Sequence, residues 1–463
     1  MTALLLAILL AASEGLYLLL LRLDAINGLR PVATFLAILG ACFVLYFAAD
    51  WVLRHGSAGY WTWVFAVGGA VLFRVTLLPA GLPPDLSWRE KLAAMAADWR
   101  GEAVCYERFQ LFDDDIWRYL WDGHLAATGA NPFVKAPADF TIDSATNGRP
   151  DWETIRDNIS YPSIPTIYPP LAQFVFRLAH WLAPGSVLAM KVVVVGFDLL
   201  AYGLLILTLA ARKQPPARSI LYGWNPLVIK VFAGSGHIDA LLVAALAATC
   251  YFLARRKPAA AAVSLGLAIA AKVAPVALLP FFARRVGPWR TALAGVTAIS
   301  CFVPFLGAGW NLFAGLRAFS AGWQFNSGPF RLVAWALSLA GSRADPLARI
   351  ACAALIATAL FVLYRHDDAG PRTFARVALI ALGAVLISSP VVTPWYVTWL
   401  LPLAVVAENR VPVFFSAAVC LAFLVMVRGI EWPWALVLEY GALTATIVWD
   451  FRRHGRLIPS CGP

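Results

Sequence analysis

The sequence predicts an all-α polytopic membrane protein, and three observations support this fold class. Of its 463 residues, 61% are hydrophobic and only 14% are charged. About twelve apolar blocks are long enough, or nearly so, to cross the roughly 30 Å of hydrocarbon in a bilayer. Lys and Arg concentrate in the short loops between these blocks, as they do in the cytoplasmic loops of membrane proteins.

The apolar blocks predict the order of the helices and three regions. Residues 3–21 lack a basic leader and are followed by Arg22 rather than a small-residue cleavage site, so we expect a retained helix with a cytoplasmic N-terminus. The expected regions are N-terminal transmembrane helices (1–80), an extracytoplasmic loop (81–186) and a transmembrane bundle (187–463). The other candidate spans lie near residues 32–53, 58–80, 187–210, 219–233, 238–254, 291–307, 347–364, 374–389, 394–407, 411–427 and 433–450.

The charge distribution predicts topology rather than a nucleic-acid partner. The formal charge is +11, but residues 81–167 contain eight Lys or Arg against fourteen Asp or Glu, a net charge of −6. The rest of the chain carries +17, much of it in short loops such as 211–218 and 451–456. Because cytoplasmic loops collect Lys and Arg, we expect the acidic segment outside the membrane and no binding of nucleic acid.

One segment does not fit a simple alternation of spans. Basic clusters at 255–257 and 284–285 flank residues 258–282, and both clusters have the composition of cytoplasmic loops. A broken re-entrant hairpin with its turn near Lys272 and Pro275 satisfies both, since irregular backbone at membrane depth is tolerated where it lines a protein cavity. Four polar stretches then fall on the outer face and predict one extracytoplasmic cavity. They are residues 113–115, 234–239, 322–328 and 388–396.

The acidic outer segment is expected to be partly helical. Residues 85–100 have helical spacing, with Leu92, Met95 and Trp99 on one side and charges opposite, so this helix is expected either on the membrane surface or against the protein body. The seven cysteines are scattered without a CxxC pair. Neither a disulfide framework nor a structural zinc site is therefore predicted.

Three consecutive aspartates, Asp113 to Asp115, open a second predicted helix that runs to about Thr128. Asp113 or Asp114 would serve as its N-cap. Adjacent carboxylates repel each other, and burial or like charge raises the pKa of such groups unless cations or hydrogen-bond donors compensate. Helix capping alone explains one or two acids here. A general base, or a ligand of a divalent cation, explains three.

Spacing along this helix separates its polar and aromatic sides. Offsets of three, four and seven residues return to the same face of a helix. The face that results carries two acids, a guanidinium and a phenol, with two tryptophans, Trp117 and Trp121, on the other side. The polar face consists of Asp115, Arg118, Tyr119 and Asp122.

These stretches resemble a known family. "DDDIWRYLWDGHLAATGANPF" (113–133) followed by "PTIYPPLAQFVF" (165–176) is similar to the first outer loop of GT-C membrane glycosyltransferases. More narrowly, the chain resembles the bacterial polyprenol-phosphate-mannose-dependent group that includes the mycobacterial phosphatidylinositol mannoside mannosyltransferases. Further motifs follow in that family's order: "WNPLVIKVFAGSGHIDALLV", "GLAIAAKVAPVALLP", "WQFNSGPF" and "SPVVTPWYVTWLLP".

The resemblance implies a sugar carried on a polyprenyl phosphate and transferred outside the membrane to a hydroxyl group with inversion. It implies that Asp115 is catalytic, because related enzymes place the acid three residues before an Arg-Tyr pair, here Arg118 and Tyr119. Asp114 is the alternative, because protein mannosyltransferases have two adjacent acids of which the first is catalytic. This chain differs by an insertion near 81–110 and two extra apolar blocks, so the acceptor stays open.

The expected chemistry requires one base and cations for the donor phosphate. A phosphate leaving group departs as an anion, so a single carboxylate that deprotonates the acceptor hydroxyl suffices. Lys272 lies in an apolar stretch, where an ionisable residue is expensive and functional by default. His237 with Asp239 provides too few ligands for a metal, so we expect a hydrogen-bonding or phosphate-contacting histidine. The candidate phosphate-binding residues are Arg118, His237, Lys272 and Arg331.

Aromatic and polar residues near proline turns are expected to contact the sugar. Proline stiffens the turns in "TIYPP" and "TPWY", and their aromatic rings offer flat apolar surfaces with polar tips. An interfacial aromatic belt explains many of the nineteen tryptophans. The candidate substrate-binding residues are Tyr119, Tyr168, Asp239, Asn326, Trp395 and Tyr396.

The expected protein is therefore a hexosyltransferase of the bacterial plasma membrane, acting as a monomer on a polyprenyl-phosphate-linked mannose or similar sugar. Its acceptor is a lipid or a glycan. No metal-binding residues are assigned and no cofactor is firmly implied, although a divalent cation, Mg²⁺ or Mn²⁺, stays open. The alternative is a multi-pass lipid or solute transporter, against which the large acidic outer loop and the lack of internal repeats argue.

Overall fold

The fold is taken from a computed structural model, which describes residues 1–23, 29–57, 59–140, 152–339, 341, 344–370, 372–426, 429 and 431–454. Within these residues the chain is helical, and its only β pairing is an isolated bridge between Phe325 and Val391. The expected all-α class is confirmed.

Three long apolar helices begin the chain: α1 (Thr2–Leu20), α2 (Leu29–His55) and α3 (Tyr60–Leu77). Helix α1 packs against both of the others. The acidic outer segment follows with α4 (Trp88–Trp99), α5 (Asp115–Ala127), α6 (Trp152–Asp157) and α7 (Pro170–Leu182). Both helices predicted in this segment are present, within a few residues of the expected bounds.

A larger helical bundle follows. Helices α8, α11, α12 and α14 pack in series, and α18, α20 and α21 close the bundle beside them. The bounds are α8 (Val187–Ala211), α9 (Ile220–Gly223), α10 (Pro226–Ile229), α11 (Ala240–Ala254), α12 (Pro258–Ala271), α13 (Leu279–Val286), α14 (Pro288–Ser300), α15 (Ala314–Gly322), α16 (Gly328–Ser338), α17 (Ala344–His366), α18 (Phe374–Ile387), α19 (Pro394–Val397), α20 (Leu400–Ala407), α21 (Val411–Ala418) and α22 (Pro433–His454).

Among the described residues, the helices that are long and apolar enough to span a membrane are fewer than the twelve expected blocks. Among the described residues five helices qualify (α1, α2 from Arg30, α3, α8 and α17), and a bent pair, Pro288–Ser300 with Val303–Gly322, adds a sixth. Shorter apolar helices account for most of the other expected blocks. The protein is an integral membrane protein by these helices, and a count of twelve spans is not confirmed.

The chain breaks where the re-entrant turn was predicted. Helix α12 ends at Ala271, Lys272 is extended, and a 3₁₀ turn, Ala274–Leu278, leads into α13. Packing joins this turn to α12, α13 and α18. The break places the lysine at a helix end rather than within a helix, while the re-entrant path itself stays a prediction.

A fully buried ion pair fastens α3 to α8. Arg74 donates from Nε to Oδ2 of Asp198 at 2.5 Å and from Nη1 to the carbonyl oxygen of Gly223 at 2.7 Å. The hydroxyl of Tyr222 donates to Oδ1 of Asp198 at 2.7 Å. Both charged side chains have no exposed surface. Because these hydrogen bonds satisfy the guanidinium and the carboxylate, the pair is tolerated among apolar helices.

Candidate active site

A strained turn presents the three aspartates. Leu111 and Phe112 both have positive φ, 51° and 66°, and both are buried. Left-handed backbone costs non-glycine residues of order 1–3 kcal/mol each, and apolar burial offsets this. After the turn, Oδ1 of Asp113 accepts the backbone N–H of Asp115 at 3.2 Å. Asp113 therefore caps α5, while Asp114, which occupies the N-cap position, makes no capping bond.

Asp114 points away from the helix toward the loop before α7. Its Oδ2 accepts a short hydrogen bond from the hydroxyl of Ser160 and lies 3.6 Å from Nη2 of Arg108. Burial and the negative charge of Asp115 raise the pKa of Asp114 to about 6. This carboxyl group is therefore poised to change charge near neutral pH.

Asp115 meets a histidine from the middle of the chain. Oδ2 of Asp115 lies 3.0 Å from Nε2 of His237, and Nδ1 of that histidine lies 2.7 Å from Oδ2 of Asp239. The angle at the second contact is poor for a hydrogen bond, so it is an ion pair. The histidine and Asp239 are buried, whereas 34% of the Asp115 side chain is exposed. We call this line of contacts, from Asp115 through His237 to Asp239, the relay. Its Asp115 end is open to a ligand.

An irregular backbone brings the histidine to this position. The residues before it form a π-helical turn, Lys230–Gly234, of the kind frequent at functional sites. Gly236 has φ of +69°, and a Cβ there would meet Ile116 and Lys191 at about 3 Å. The backbone N–H of His237 then donates to the carbonyl oxygen of Val231 at 3.0 Å. Only this compact turn lets the imidazole reach the start of α5.

Neighbouring carboxylates set the charge of the histidine. Burial alone would lower the pKa of His237, but Asp239, Asp115 and Asp113 outweigh burial and raise the pKa to about 9. The imidazole is therefore an imidazolium at neutral pH. It stands between Asp115 and Asp239 as a positive charge and helps to compensate both carboxylates.

Lys272 completes the relay from the broken end of α12. Its Nζ donates to Oδ1 of Asp239 at 2.9 Å and lies over the rings of Tyr396 and Trp399, at 4.2 Å and 4.8 Å from their centroids. The indole N–H of Trp399 also donates to Oδ1 of Asp239. The ammonium retains further donor capacity, and 24% of the lysine side chain is exposed.

Aromatic rings surround the relay. The ring of Trp395 lies 4.6 Å from that of His237, and Tyr119 approaches the same imidazole edge-on at 6.1 Å. Tyr168 packs edge-on against Tyr119 at 4.9 Å. Tyr396 contributes through its contact with the lysine. These four rings, expected from separate motifs, are thus grouped around the acid, the histidine and the lysine.

Arg118 is engaged within the outer segment. Its Nε donates to Oδ1 of Asp122 at 2.8 Å and its Nη1 to the carbonyl oxygen of Ile164 at 2.9 Å. Among the described residues, buried Nη2 has no hydrogen-bond partner. Arg118 therefore holds the 164–168 loop against α5, with only one nitrogen left for a phosphate.

Asn326 and Arg331 belong to a neighbouring polar cluster rather than to the relay. Nδ2 of Asn326 donates to Oε1 of Glu439 at 2.8 Å, and Nη2 of Arg331 forms a short ion pair with Glu431. The two regions are connected, because Nδ2 of Asn326 also donates to the carbonyl oxygen of Val392 at 3.3 Å, just before α19 and its ring Trp395. The four polar stretches predicted to converge are thus joined by contacts.

Three ligand atoms near α5 form a set of a size that suits a cation. Single atoms from Asp113, Asp115 and His237 lie within 4.8 Å of one another. Oδ2 of Asp113 is buried and accepts no hydrogen bond within the described residues. Two carboxylates and an imidazole fit Mn²⁺ or Mg²⁺. The imidazole already pairs with Asp115 and with Asp239, whereas buried Oδ2 of Asp113 stays available to a cation.

Sequence inspection missed three residues at this site. Trp399 lies in the same motif as Trp395, one helical turn later, and only its indole contact distinguishes it from a belt tryptophan. Lys191 and Lys230 carry the signal used for Lys272, a lysine within an apolar run. Lys191 donates from Nζ to Oε1 of Gln110 at 2.9 Å, next to the aspartate turn. Lys230 is buried over the ring of Phe423 at 4.2 Å.

Comparison with known proteins identifies the family. Residues 49–287 match the MptA_B family model, described as alpha-(1->6)-mannopyranosyltransferase, N-terminal domain. No curated protein and no solved structure shows a significant match to the chain. The matched range contains Asp115, His237, Asp239 and Lys272, but not the aromatic residues of α19. It also covers just over half of the 463 residues. The chain is therefore a member of the alpha-(1->6)-mannopyranosyltransferase family, which makes it a glycosyltransferase.

Proposed function

We propose that the protein transfers a single mannose, or a similar hexose, from a polyprenyl-phosphate donor to an acceptor hydroxyl outside the membrane, with inversion at the anomeric carbon. We propose a GT-C architecture for the chain and Asp115 as the general base. One observation carries this proposal. The partly exposed carboxylate of Asp115 is joined through His237 and Asp239 to the ammonium of Lys272.

Asp115 suits the base because it is the exposed end of the relay. His237 occupies Oδ2 of Asp115, and a third of this side chain faces open space. A hydroxyl placed there can give its proton to Oδ1 as it attacks the sugar. Asp114 is the second candidate, favoured by its raised pKa of about 6 and by its place beside Asp115.

Lys272 and His237 suit the donor phosphate. Both are cationic groups attached to Asp239, which fixes their positions, and the ammonium has a donor left for a phosphate oxygen. The leaving phosphate gains negative charge during transfer, and fixed cations stabilise it as that charge develops. We assign Arg118 a smaller part, through Nη2 alone, and Arg331 a part at the edge of the site.

The ring of Trp395 beside His237 suits one face of the sugar, with Tyr119, Tyr168 and Tyr396 around it. Asp239 positions the cations, and Asn326 supports the Val392 loop that carries Trp395.

We propose that transfer proceeds without a bound cation, because His237 and Lys272 already supply two positive charges at this site. The alternative is a Mg²⁺ or Mn²⁺ ion on those three residues that bridges to the donor phosphate. We further propose that the protein is a monomer in the bacterial plasma membrane, with the site on the extracytoplasmic face.

The test is reconstitution of the purified protein in liposomes with polyprenyl-phosphate mannose labelled in the sugar. We expect label to move to an added acceptor, while the label on unconsumed donor stays in its original leaflet. A transporter would instead move the intact donor across the bilayer with no loss of its phosphate-sugar bond. That outcome contradicts the proposed transfer and supports the alternative.

A further inference from the structure

Helix α4 has an apolar face that the protein leaves uncovered. Trp88, Leu92 and Trp99 are 45%, 48% and 40% exposed. At about 100° per residue these three side chains fall within roughly 40° of one another on the helix surface. They therefore form one stripe that runs along the whole helix.

Two charged residues of α4 lie on the side that faces the protein. Lys91 and Asp98 are only 4% and 5% exposed. Nζ of Lys91 donates to the carbonyl oxygens of Pro83 and Leu82, at 2.5 Å and 3.4 Å. A surface helix on a water-soluble protein usually buries its large apolar side chains, whereas α4 buries these two charges and leaves the stripe exposed.

Both ends of α4 are fastened to the ends of membrane-spanning helices. Lys91 binds the chain a few residues beyond the end of α3, a candidate span. Near the other end, Oδ2 of Asp98 accepts from the hydroxyl of Ser186 at 2.6 Å and from the backbone N–H of Leu188 at 2.8 Å. Ser186 and Leu188 form the start of α8, a second candidate span. The helix is thereby held beside the adjacent ends of two candidate membrane spans, α3 and α8.

Charges around the stripe balance. Arg89 and Arg100 flank it, and both are exposed. Glu90 and Glu102 are exposed nearby, with Glu102 paired to Arg100 at 2.6 Å. A partner that covers the stripe is therefore selected by apolar contact rather than by net charge. Tryptophans at both ends of a helix are typical of the headgroup boundary of a bilayer.

From these observations we propose that α4 is an interfacial helix whose stripe, Trp88, Leu92 and Trp99, inserts into the lipid bilayer at the boundary between headgroups and acyl chains. The partner is the lipid surface itself. The choice of the outer leaflet rests on the proposed function, whereas contact with lipid does not. The helix then fixes the height of the following segment, because Tyr106 donates its hydroxyl to Asp98 at 3.3 Å on the way to the aspartate turn.

The test measures the depth of a nitroxide spin label by its accessibility to oxygen and to a water-soluble nickel complex. The label is attached at Leu92→Cys, with Ala96→Cys as a smaller change on the same side of α4. Ala93→Cys, which is exposed and lies about 100° around the helix from Leu92, is the matched control. The background carries Cys105→Ser, Cys301→Ser and Cys461→Ser, and the full-length protein is reconstituted in phosphatidylcholine vesicles with and without phosphatidylglycerol.

We expect the labels at 92 and 96 to favour oxygen at a depth of about 5–10 Å in both lipid mixtures, and the label at 93 to favour the nickel complex. Equal nickel accessibility at 92 and 93 overturns the proposal. Dipolar coupling between labels at 92 of two copies also overturns it and supports a protein partner. Repeating the measurement with Asp115→Asn separates this result from catalysis, because depth does not require transfer.

Discussion

His237 and Asp115 are separated by 122 residues, yet Nε2 of the first lies 3.0 Å from Oδ2 of the second. The contact joins the start of α5, in the outer segment, to the irregular turn before α11, in the bundle. Because Asp239 and Lys272 continue the same line of contacts, the four residues form one unit. Substitution of the acid at one end is expected to lower turnover, and substitution of the lysine at the other end is expected to weaken donor binding.

Asp115→Asn is expected to lower the turnover of sugar transfer by about 10²- to 10⁴-fold, the usual effect of losing a general base. The amide keeps the size of the side chain but cannot take a proton. Binding of the labelled donor and the thermal unfolding midpoint should change little. Transfer by the variant at the normal rate contradicts the assignment of the base.

Asp114→Asn serves as the matched comparison for the same assay. Its side chain binds Ser160 and lies near Arg108 rather than His237, so we expect a smaller loss of turnover than with Asp115→Asn. A larger loss of turnover with Asp114→Asn than with Asp115→Asn would assign the base to Asp114. The proposed roles of the other relay residues would not change.

Lys272→Ala is expected to raise the donor KM by about ten- to a hundredfold, since a hydrogen bond to a charged group is worth roughly 1.5–3 kcal/mol. The effect on turnover should be smaller. Arg331→Ala is the comparison, and a smaller rise in donor KM is expected because that guanidinium pairs with Glu431 at the edge of the site. Donor titration in detergent measures both variants, and an unchanged donor KM for Lys272→Ala rules out its phosphate role.

His237 is expected to make stability depend on alkaline pH. Its pKa is about 9 in the folded protein and about 6.5 in an unfolded chain. A raised pKa stabilises the fold fully below the unfolded value, and this contribution is lost as pH rises through 9. The expected loss is at most about 3 kcal/mol. His237→Gln should flatten the decline of the unfolding midpoint between pH 6.5 and 9, and an equally steep decline would argue against the imidazolium.

Gly123→Ala is expected to disturb the close packing of α5 against α7. A Cβ on Gly123 would lie 2.5 Å from the carbonyl oxygen of Phe176, so α5 must move away from α7. Overpacking of this kind typically costs about 1–3 kcal/mol, and we expect reduced turnover with a lower unfolding midpoint. Gly196→Ala in α8 is the control, since a Cβ there meets nothing within 4 Å. Equal turnover and equal unfolding midpoints for the two variants would contradict close packing of α5 against α7 at Gly123.

Chelation distinguishes the two proposals for the donor phosphate. With excess EDTA, transfer is expected to stay within about twofold of its untreated rate, because fixed cations replace a bound ion. Loss of activity that Mn²⁺ restores, with Mn²⁺ binding abolished by Asp113→Asn, would instead place a cation on Asp113, Asp115 and His237.

Much of the site was predictable because its residues are chemically conspicuous. Three adjacent acids and a lysine in an apolar run stand out against a sequence with few charges. The helix at Asp115–Ala127 followed from its spacing and from the turn residues after it. Tyr119, Tyr168, Trp395 and Tyr396 were all candidates for sugar contact, and Trp395 and Tyr396 also lie in a stretch that was expected to converge on the cavity.

The remaining features depend on tertiary contacts that leave little trace in sequence. The capping bond came from Asp113 rather than from the N-cap residue, because two left-handed residues turn the backbone. The position of the Arg118 side chain depends on a hydrogen bond to the backbone carbonyl oxygen of Ile164. Any residue type could supply that carbonyl, so the sequence gives no signal for the contact. The expected count of twelve spans is not confirmed, because many of the described bundle helices are short or are interrupted by 3₁₀ turns.

The buried pair of Arg74 and Asp198 has a consequence for biogenesis. When α3 leaves the ribosome and enters the translocon, its arginine has no counter-ion. An unpaired arginine opposes insertion by up to about 2.5–3.5 kcal/mol, the value at a helix centre, and Arg74 lies in the last turn of α3. The matching carboxylate is synthesised 124 residues later. In that interval the whole acidic segment is synthesised. The stable membrane placement of α3 is therefore completed only after α8 arrives, and a nascent chain that stalls between them remains a candidate for quality-control proteolysis.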